Sequence, residues 1–150
     1  MSVIVYTESE DGKFKKAALE VAAFAKGVAD KIGTSVTAVT FNAADVSELG
    51  KYGVSKVLKI QNDKLDKFNA EAYADAIKQA AEKEASKVVV LSQSANAKYI
   101  APLLAVHLEA GYASNVVGLP VNTEPFQVKR TAFTNKAFNI TEISTDIKIV

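Results

Sequence analysis

Short runs of branched apolar residues alternate along the chain with segments of helical period, and this alternation most restricts the fold. The first run, Val3–Tyr6, contains no polar residue before Tyr6, which is typical of a strand covered on both faces. From Phe14 to Ile32 apolar residues recur every three or four positions, which predicts a helix that ends at Gly33. Strands that alternate with helices predict a three-layer α/β/α fold with a mainly parallel sheet.

The alternation continues through the middle of the chain. Three further strands are predicted from their β-branched and apolar residues: Ser35–Phe41, Lys56–Ile60 and Lys87–Leu91. A short helical stretch at Asp45–Tyr52 is expected to end at Gly53. Asn69 has the side chain of a helix N-cap and precedes an Ala-rich helical pattern, so a long helix is predicted to follow it.

The helix after the fourth predicted strand contains a proline. It follows the polar loop Ser92–Asn96 and is expected to end at Gly111. Because a proline costs no hydrogen bond only in the first turn, Pro102 predicts that this helix begins near Lys98.

Beyond Pro120 the helical pattern disappears. Three strand-like runs remain, at Phe126–Arg130, Ala137–Ile143 and Ile147–Val150. They predict an antiparallel, hairpin-like extension at one edge of the sheet. The length of 150 residues fits one domain, and the apolar last residues suggest that a longer polypeptide is divided here at a domain boundary.

Composition excludes several functional classes. The net charge is +1 and the chain has a single Arg, so the clustered basic residues of a nucleic-acid interface are missing. There is no Cys, which removes thiol catalysis, disulfides and thiolate metal sites and is consistent with the cytoplasm. The apolar runs are far shorter than the ~20 residues of a membrane span, so no membrane association is expected.

The usual nucleotide motifs are also missing. The loop after the first strand, Glu8–Asp11, carries three carboxylates, which would repel a phosphate. Neither G-x-G-x-x-G nor G-x-x-x-x-G-K-[ST] occurs in the sequence. A dinucleotide or triphosphate site of the usual kinds is therefore not expected.

The polar loop after the fourth predicted strand is the better candidate for a ligand. Ser92, Ser94 and Asn96 could hold a polar group at a helix N-terminus. The alternative is that Ser94 or Asn96 only caps the helix, because these are preferred capping residues.

Catalytic and metal sites are not predicted. His107 is the only histidine, and Glu109, the nearest carboxylate in the sequence, points away from it on a helix. We therefore interpret His107 as a surface or helix-packing residue, and no metal-ligand spacing is present. Arg130 is either an interface residue that binds a partner carboxylate or backbone, or an edge-strand charge that prevents aggregation.

Several segments, in order and spacing, carry a family resemblance. They are Gly53–Leu58 (GVSKVL), Lys98–Ala105 (KYIAPLLA), Gly111–Val116 (GYASNV) and Val128–Ala137 (VKRTAFTNKA). With the opening strand, acidic loop and helix, they resemble the N-terminal domain of the electron transfer flavoprotein alpha subunit over nearly the whole chain. Thr131 and Asn135 replace the Pro and Gly usual in that family, which leaves the contacts of this loop open.

The resemblance implies an α/β fold like that of the adenine nucleotide alpha hydrolases, and a scaffold and subunit-interface role without catalysis. It also implies a heterodimer with a beta subunit and FAD held mainly by a second alpha-subunit domain, absent from residues 1–150. Dehydrogenases would donate the electrons, and a quinone-linked oxidoreductase or another acceptor would receive them. Arg130 and Lys136 lie in the stretch expected at the partner interface.

We carry over no FAD-binding residue, and expect this domain alone to be colourless. The competing hypothesis is a stand-alone adenine-nucleotide-binding protein related to universal stress proteins. The glycine-rich phosphate loop expected for it after the fourth strand is missing, because Ser92–Asn96 contains no Gly.

Overall fold

A single all-parallel sheet of six strands organises the computed structural model, which describes residues 1–150. In chain order the strands are β1 (Ser2–Tyr6), β2 (Ser9–Glu10), β3 (Lys13–Phe14), β4 (Ser35–Phe41), β5 (Lys56–Ile60), β6 (Val88–Val90), β7 (Gly111–Tyr112), β8 (Asn122–Thr123), β9 (Phe126–Ala132), β10 (Ala137–Ile143) and β11 (Lys148–Ile149). The helices are α1 (Lys16–Ile32), α2 (Ala70–Lys83) and α3 (Ala95–Leu108), with 3₁₀ turns at Ser47–Tyr52 and Asp63–Leu65. The central order is β5-β4-β1-β6-β11-β7. The predicted three-layer α/β/α class is confirmed.

Each face of the sheet has its own core. Alternate residues of β1 enter the two cores: Val3 and Val5 pack on the α1 side of the sheet, and Ile4 packs on the side of α2 and α3. The buried stripe of α1 is mostly alanine, which lets this helix lie close to the sheet. Both cores are thus built from the period-2 strands and period-3.6 helices that the sequence indicates.

Most of the helix ends lie where the capping residues in the sequence predict them. Gly33 and Gly53 adopt the left-handed conformation after α1 and after the first 3₁₀ turn, with φ of 81° and 92°. Asn69 caps α2, because its side-chain oxygen accepts a hydrogen bond from the Ala72 N–H at 3.1 Å. These three predictions are confirmed.

The predicted start of α3 near Lys98 is wrong. The helix begins at Ala95, and Pro102 lies inside it. The proline frees the Lys98 carbonyl, but both residues are exposed, so water can satisfy that oxygen. The other end also differs, because the helix stops at Leu108 rather than at Gly111.

A separate three-stranded sheet, of order β10-β9-β8, is the predicted antiparallel extension, and β9 and β10 form its hairpin. It does not merely prolong an edge: Phe126, Val128 and Ile143 enter the core on the α1 side. It therefore takes the place that a further helix would fill in this layer.

The prediction that Ile147–Val150 belongs to the extension is wrong. Strand β11 lies inside the central sheet, parallel to β6 on one side and β7 on the other. Ile149 is fully buried there. Gly111 of the neighbouring β7 has no space for a side chain, because an added Cβ would lie 2.6 Å from Ile143 Cγ2. Because β11 has only two residues, its sequence pattern is too short to predict which sheet the strand joins.

None of the three α-helices combines the length and the apolar character needed to cross a bilayer.

Candidate functional site

The order of the central sheet reverses between β1 and β6. From β1 the chain proceeds to β4 on one side, whereas β6 lies on the other side. In open α/β sheets such a reversal opens a crevice beyond the carboxyl ends of the strands, where ligands usually bind. The segments that meet there are Thr7–Glu8 after β1 and Leu91–Ser94 after β6.

A buried carboxylate occupies this crevice. Glu8 is only 4% exposed, and the Ser94 hydroxyl donates a hydrogen bond to its Oε1. The same hydroxyl caps α3 by accepting from the Ala97 N–H at 3.1 Å. Lys15 Nζ lies 3.7 Å from Glu8 Oε2 and supplies the countercharge. The chain thus places its own negative charge at the N-terminus of α3, where the helix dipole stabilises an anion.

The predicted polar loop therefore acts first as a cap. Of the two capping candidates Ser94 is the cap, while the Ser92 hydroxyl accepts a long 3.4 Å hydrogen bond from the Ser94 N–H. The three predicted residues do not converge on one point, because Asn96 lines a cleft on the α2 side and Ser92 lines another on the α1 side. Whether either residue holds a ligand stays a prediction.

The cleft on the α2 side, which we call the acidic cleft, has a volume of about 590 Å³. Its lining includes four carboxylates and one ammonium group: Glu8, Glu10, Asp11, Asp66 and Lys15. Its aromatic floor consists of Tyr6, Phe41, Phe68 and Tyr73. The rings of Phe41 and Tyr73 stack with centroids 4.1 Å apart, and Tyr6 meets both edge-on. The cleft therefore combines a rigid apolar floor with a negatively charged rim.

Tyr6 is the residue most affected by this environment. Burial, and next the Glu8 carboxylate, raises the pKa of its phenol well above the ordinary value. Burial likewise raises the pKa of Tyr73, whose hydroxyl donates to the Leu65 carbonyl at 2.5 Å. Both phenols therefore stay neutral throughout the physiological range.

The cleft on the α1 side, which we call the serine cleft, has a volume of about 560 Å³. Hydroxyls of Ser92, Ser94 and Ser114 lie among its lining residues, together with the rings of Phe24 and Tyr112. Glu20 is its one charged lining residue. This composition suits a largely neutral ligand better than a phosphate.

Arg130 connects the hairpin to the central sheet. Its Nε donates to the Ser114 carbonyl at 2.7 Å and its Nη2 to the Ser114 hydroxyl at 3.1 Å, so both sides of the guanidinium fork meet the loop after β7. Lys136 lies exposed in the turn between β9 and β10. An interface role for either residue stays a prediction.

His107 lies on α3, with its Nε2 3.8 Å from Glu71 Oε2 on α2. It is half-buried between the two helices, as the helix-packing interpretation expects. The structure contains no group of three or more carboxylate or imidazole side chains that could hold a metal ion.

Comparison with known proteins places this arrangement in a family. The profile described as "Electron transfer flavoprotein domain" matches residues 3–150, which is nearly the whole chain. The chain belongs to the electron transfer flavoprotein family. The resemblance recognised in the sequence is thereby confirmed.

Several of its curated relatives are named electron transfer flavoprotein subunit alpha. The chain is 28% identical over 145 residues to the electron transfer flavoprotein subunit alpha of Bacillus subtilis. The aligned region covers 96% of this chain and 44% of the relative. It is 27% identical over 125 residues to the corresponding subunit of Clostridium acetobutylicum, covering 81% and 37%. A protein named FixB from Clostridium saccharobutylicum is 25% identical over 124 residues, with the same coverage. The chain spans less than half the length of these relatives.

Two features of this electron transfer flavoprotein domain were not found by sequence reasoning. The sequence indicates Glu8 only as a charge that repels phosphate, and it does not reveal the bond of Glu8 to Ser94, 86 positions away. The bond of Arg130 to Ser114 was missed in the same way. The position of Glu8 and Ser94 after neighbouring parallel strands was the one signal that could have paired them.

Proposed function

We propose that this chain is the N-terminal scaffold and subunit-interface domain of an electron transfer flavoprotein alpha subunit, and that it binds a beta-type subunit. The relatives are named "subunit alpha", which supports an assembly of more than one kind of subunit. Residues 1–150 would form one domain of a longer alpha chain, since the relatives are more than twice as long as the matched region.

The observation that carries the proposal is an apolar surface on the outside of the hairpin. Phe138 and Ile140 are 60% and 54% exposed on β10, on the face opposite to the core. Val117 donates its N–H to the Lys129 carbonyl at the far edge of β9 and is also exposed. We call Phe138, Ile140 and Val117, with Lys129, the outer hairpin face.

Contiguous exposed apolar residues of this kind mark interaction sites in soluble domains. Lys129 Nζ lies 4.3 Å from the centre of the Phe138 ring and adds a positive charge within the patch. An apolar patch with a polar border and a central aromatic residue matches the anatomy of a subunit interface. The hairpin presents this patch to solvent in the structure as it stands.

The chain's part in electron transfer would be structural. In the complete heterodimer FAD would carry electrons from dehydrogenases to a quinone-linked oxidoreductase or another acceptor, in the cytoplasm. The carboxylate at the switch point disfavours a flavin pyrophosphate at the N-terminus of α3, which supports a flavin site outside this domain. We therefore propose a non-enzymatic role for residues 1–150.

The test is binding to the beta-type subunit from the same source, by calorimetry and size-exclusion chromatography. Phe138→Asp should abolish or strongly weaken binding, because it places a charge in the apolar patch. Val106→Asp is the matched control, since Val106 is equally apolar and 75% exposed but lies on α3. Equal effects of the two variants, or no binding by the wild type, would contradict the proposed interface.

A spectrum of the purified chain tests the flavin proposal separately. The lone domain should show no flavin absorbance, whereas stoichiometric FAD would place the flavin site within it. Calorimetry with AMP and ATP tests the competing stand-alone nucleotide binder. Tight binding by the isolated chain would favour that function over the scaffold.

A further inference from the structure

The acidic cleft has the electrostatics of a cation site. Its rim carries Glu8, Glu10, Asp11 and Asp66 against the single ammonium of Lys15. The negative faces of aromatic rings attract cations as well, and the floor of the cleft is aromatic. Carboxylates and rings in one concave site therefore favour the same class of ligand.

One hydroxyl in the cleft has no partner. Tyr6 is 4% exposed, and its hydroxyl makes no hydrogen bond within the chain, whereas the hydroxyl of neighbouring Tyr73 is satisfied by the Leu65 carbonyl. The Tyr6 oxygen is also not among the fully enclosed unpaired atoms, so its remaining accessible surface faces the cleft that it lines. This oxygen is therefore accessible to solvent in the cleft, and a ligand that donates an N–H can replace a water molecule there with a direct hydrogen bond.

Lys15 shows that the rim already attracts a positive charge. Its Nζ lies 3.7 Å from Glu8 and 3.9 Å from Glu10, both beyond hydrogen-bonding distance. The lysine side chain is 42% exposed, so it borders the cleft without filling it. Of the other rim carboxylates, Asp66 accepts a hydrogen bond from Asn42 Nδ2 at 2.7 Å through one oxygen, which leaves its second oxygen and the Asp11 carboxylate for a second cation.

We propose that the acidic cleft binds an organic cation with N–H donors, of the guanidinium or alkylammonium class. Tyr6 and the rim carboxylates would accept its hydrogen bonds, and the aromatic floor would contact its charge and its apolar part. The volume of about 590 Å³ is in the range of small-molecule sites and admits an arginine-sized ligand. A metal ion is a poorer occupant, because the carboxylates are not grouped as metal ligands.

The experiment is an NMR titration of the ¹⁵N-labelled chain with methylguanidinium, butylammonium and tetramethylammonium ions. The first two should shift amide signals around Tyr6, Glu8 and Asp66, and tetramethylammonium should bind more weakly because it has no N–H to donate. A capped Gly-Arg-Gly peptide and free arginine distinguish the source of the cation. If the peptide binds best, the site receives a partner's side chain; if free arginine does, it receives a small molecule.

Three variants separate binding from structure. Tyr6→Phe should weaken cation binding about fivefold, the value of one hydrogen bond, without lowering stability at neutral pH. Lys15→Met should strengthen it about twofold or more, because it removes a competing charge. Glu48→Gln, an exposed carboxylate on the first 3₁₀ turn, is the control and should change nothing.

Several results would overturn the proposal. They are an absence of shifts at 50-fold excess over protein, equal shifts with phosphate or Mg²⁺, equal binding by the Tyr6→Phe and wild-type chains, and weaker binding by Lys15→Met.

Discussion

Replacement of Ser94 by alanine tests whether the chain's own groups fill the crevice between β1 and β6. The Ser94 hydroxyl makes two bonds in this structure, one from the Ala97 N–H and one to the buried Glu8 carboxylate. Loss of an N-cap costs about 1 kcal/mol, and loss of a hydrogen bond to a charged group costs about 1.5–3 kcal/mol. Ser94→Ala should therefore lower the free energy of unfolding by roughly 2.5–4 kcal/mol.

Urea denaturation followed by circular dichroism measures this change. For a domain of this size the same loss corresponds to a fall in Tm of roughly 6–12 °C. Ser92→Ala is the matched control, because the Ser92 hydroxyl accepts only a 3.4 Å bond. It should cost no more than ~0.5 kcal/mol.

A double-mutant cycle isolates the contribution of the Glu8 charge to the bridge. Glu8→Gln removes the charge but retains an oxygen that can accept from Ser94, and Ser94→Ala removes the donor. The coupling between the two changes should be about 1–2 kcal/mol. If Ser94→Ala costs no more than Ser92→Ala and the cycle shows no coupling, the bridge does not form in solution and the crevice is open to a ligand.

Three further predictions concern the core, the hairpin and pH. Leu104→Ala should cost about 2–5 kcal/mol in urea denaturation because this side chain is fully buried, whereas Val106→Ala on the exposed side of the same helix should cost less than ~0.5 kcal/mol. Arg130→Lys should cost about 1–2 kcal/mol, because lysine cannot reproduce the forked bond to Ser114, and an unchanged free energy of unfolding would refute that role. Burial raises the pKa of Tyr6 in the folded state, so its contribution to stability is complete below pH ~10, the unfolded pKa, and is lost as pH rises above it. Denaturation between pH 8 and 11.5 should show a shallower alkaline decline for Tyr6→Phe, and an identical slope would contradict the burial of this phenol.

The sequence predicted correctly those features whose interacting residues lie only a few positions apart in the chain. Asn69 caps α2 by a hydrogen bond from an N–H three residues ahead, and Gly33 ends α1 through a bond to Ala29. Pro102 led to a wrong prediction for the start of α3. The rule that proline belongs in the first turn assumes that a lost backbone hydrogen bond is costly, but at this exposed face water can replace that bond. The outer hairpin face was not predicted, because alternation in β10 does not reveal which side meets the core.

What the sequence by itself determined is the class of the domain, the family to which it belongs and the bounds of strands such as Ser35–Phe41, because periodicity and capping are local properties. Only the tertiary structure decided where Lys148–Ile149 inserts, and which groups meet at the switch point. Glu8 and Ser94 are 86 positions apart, and no local pattern records their contact. It arises because parallel strands that lie side by side end at the same edge of the sheet, and the order of the strands is a property of the whole fold.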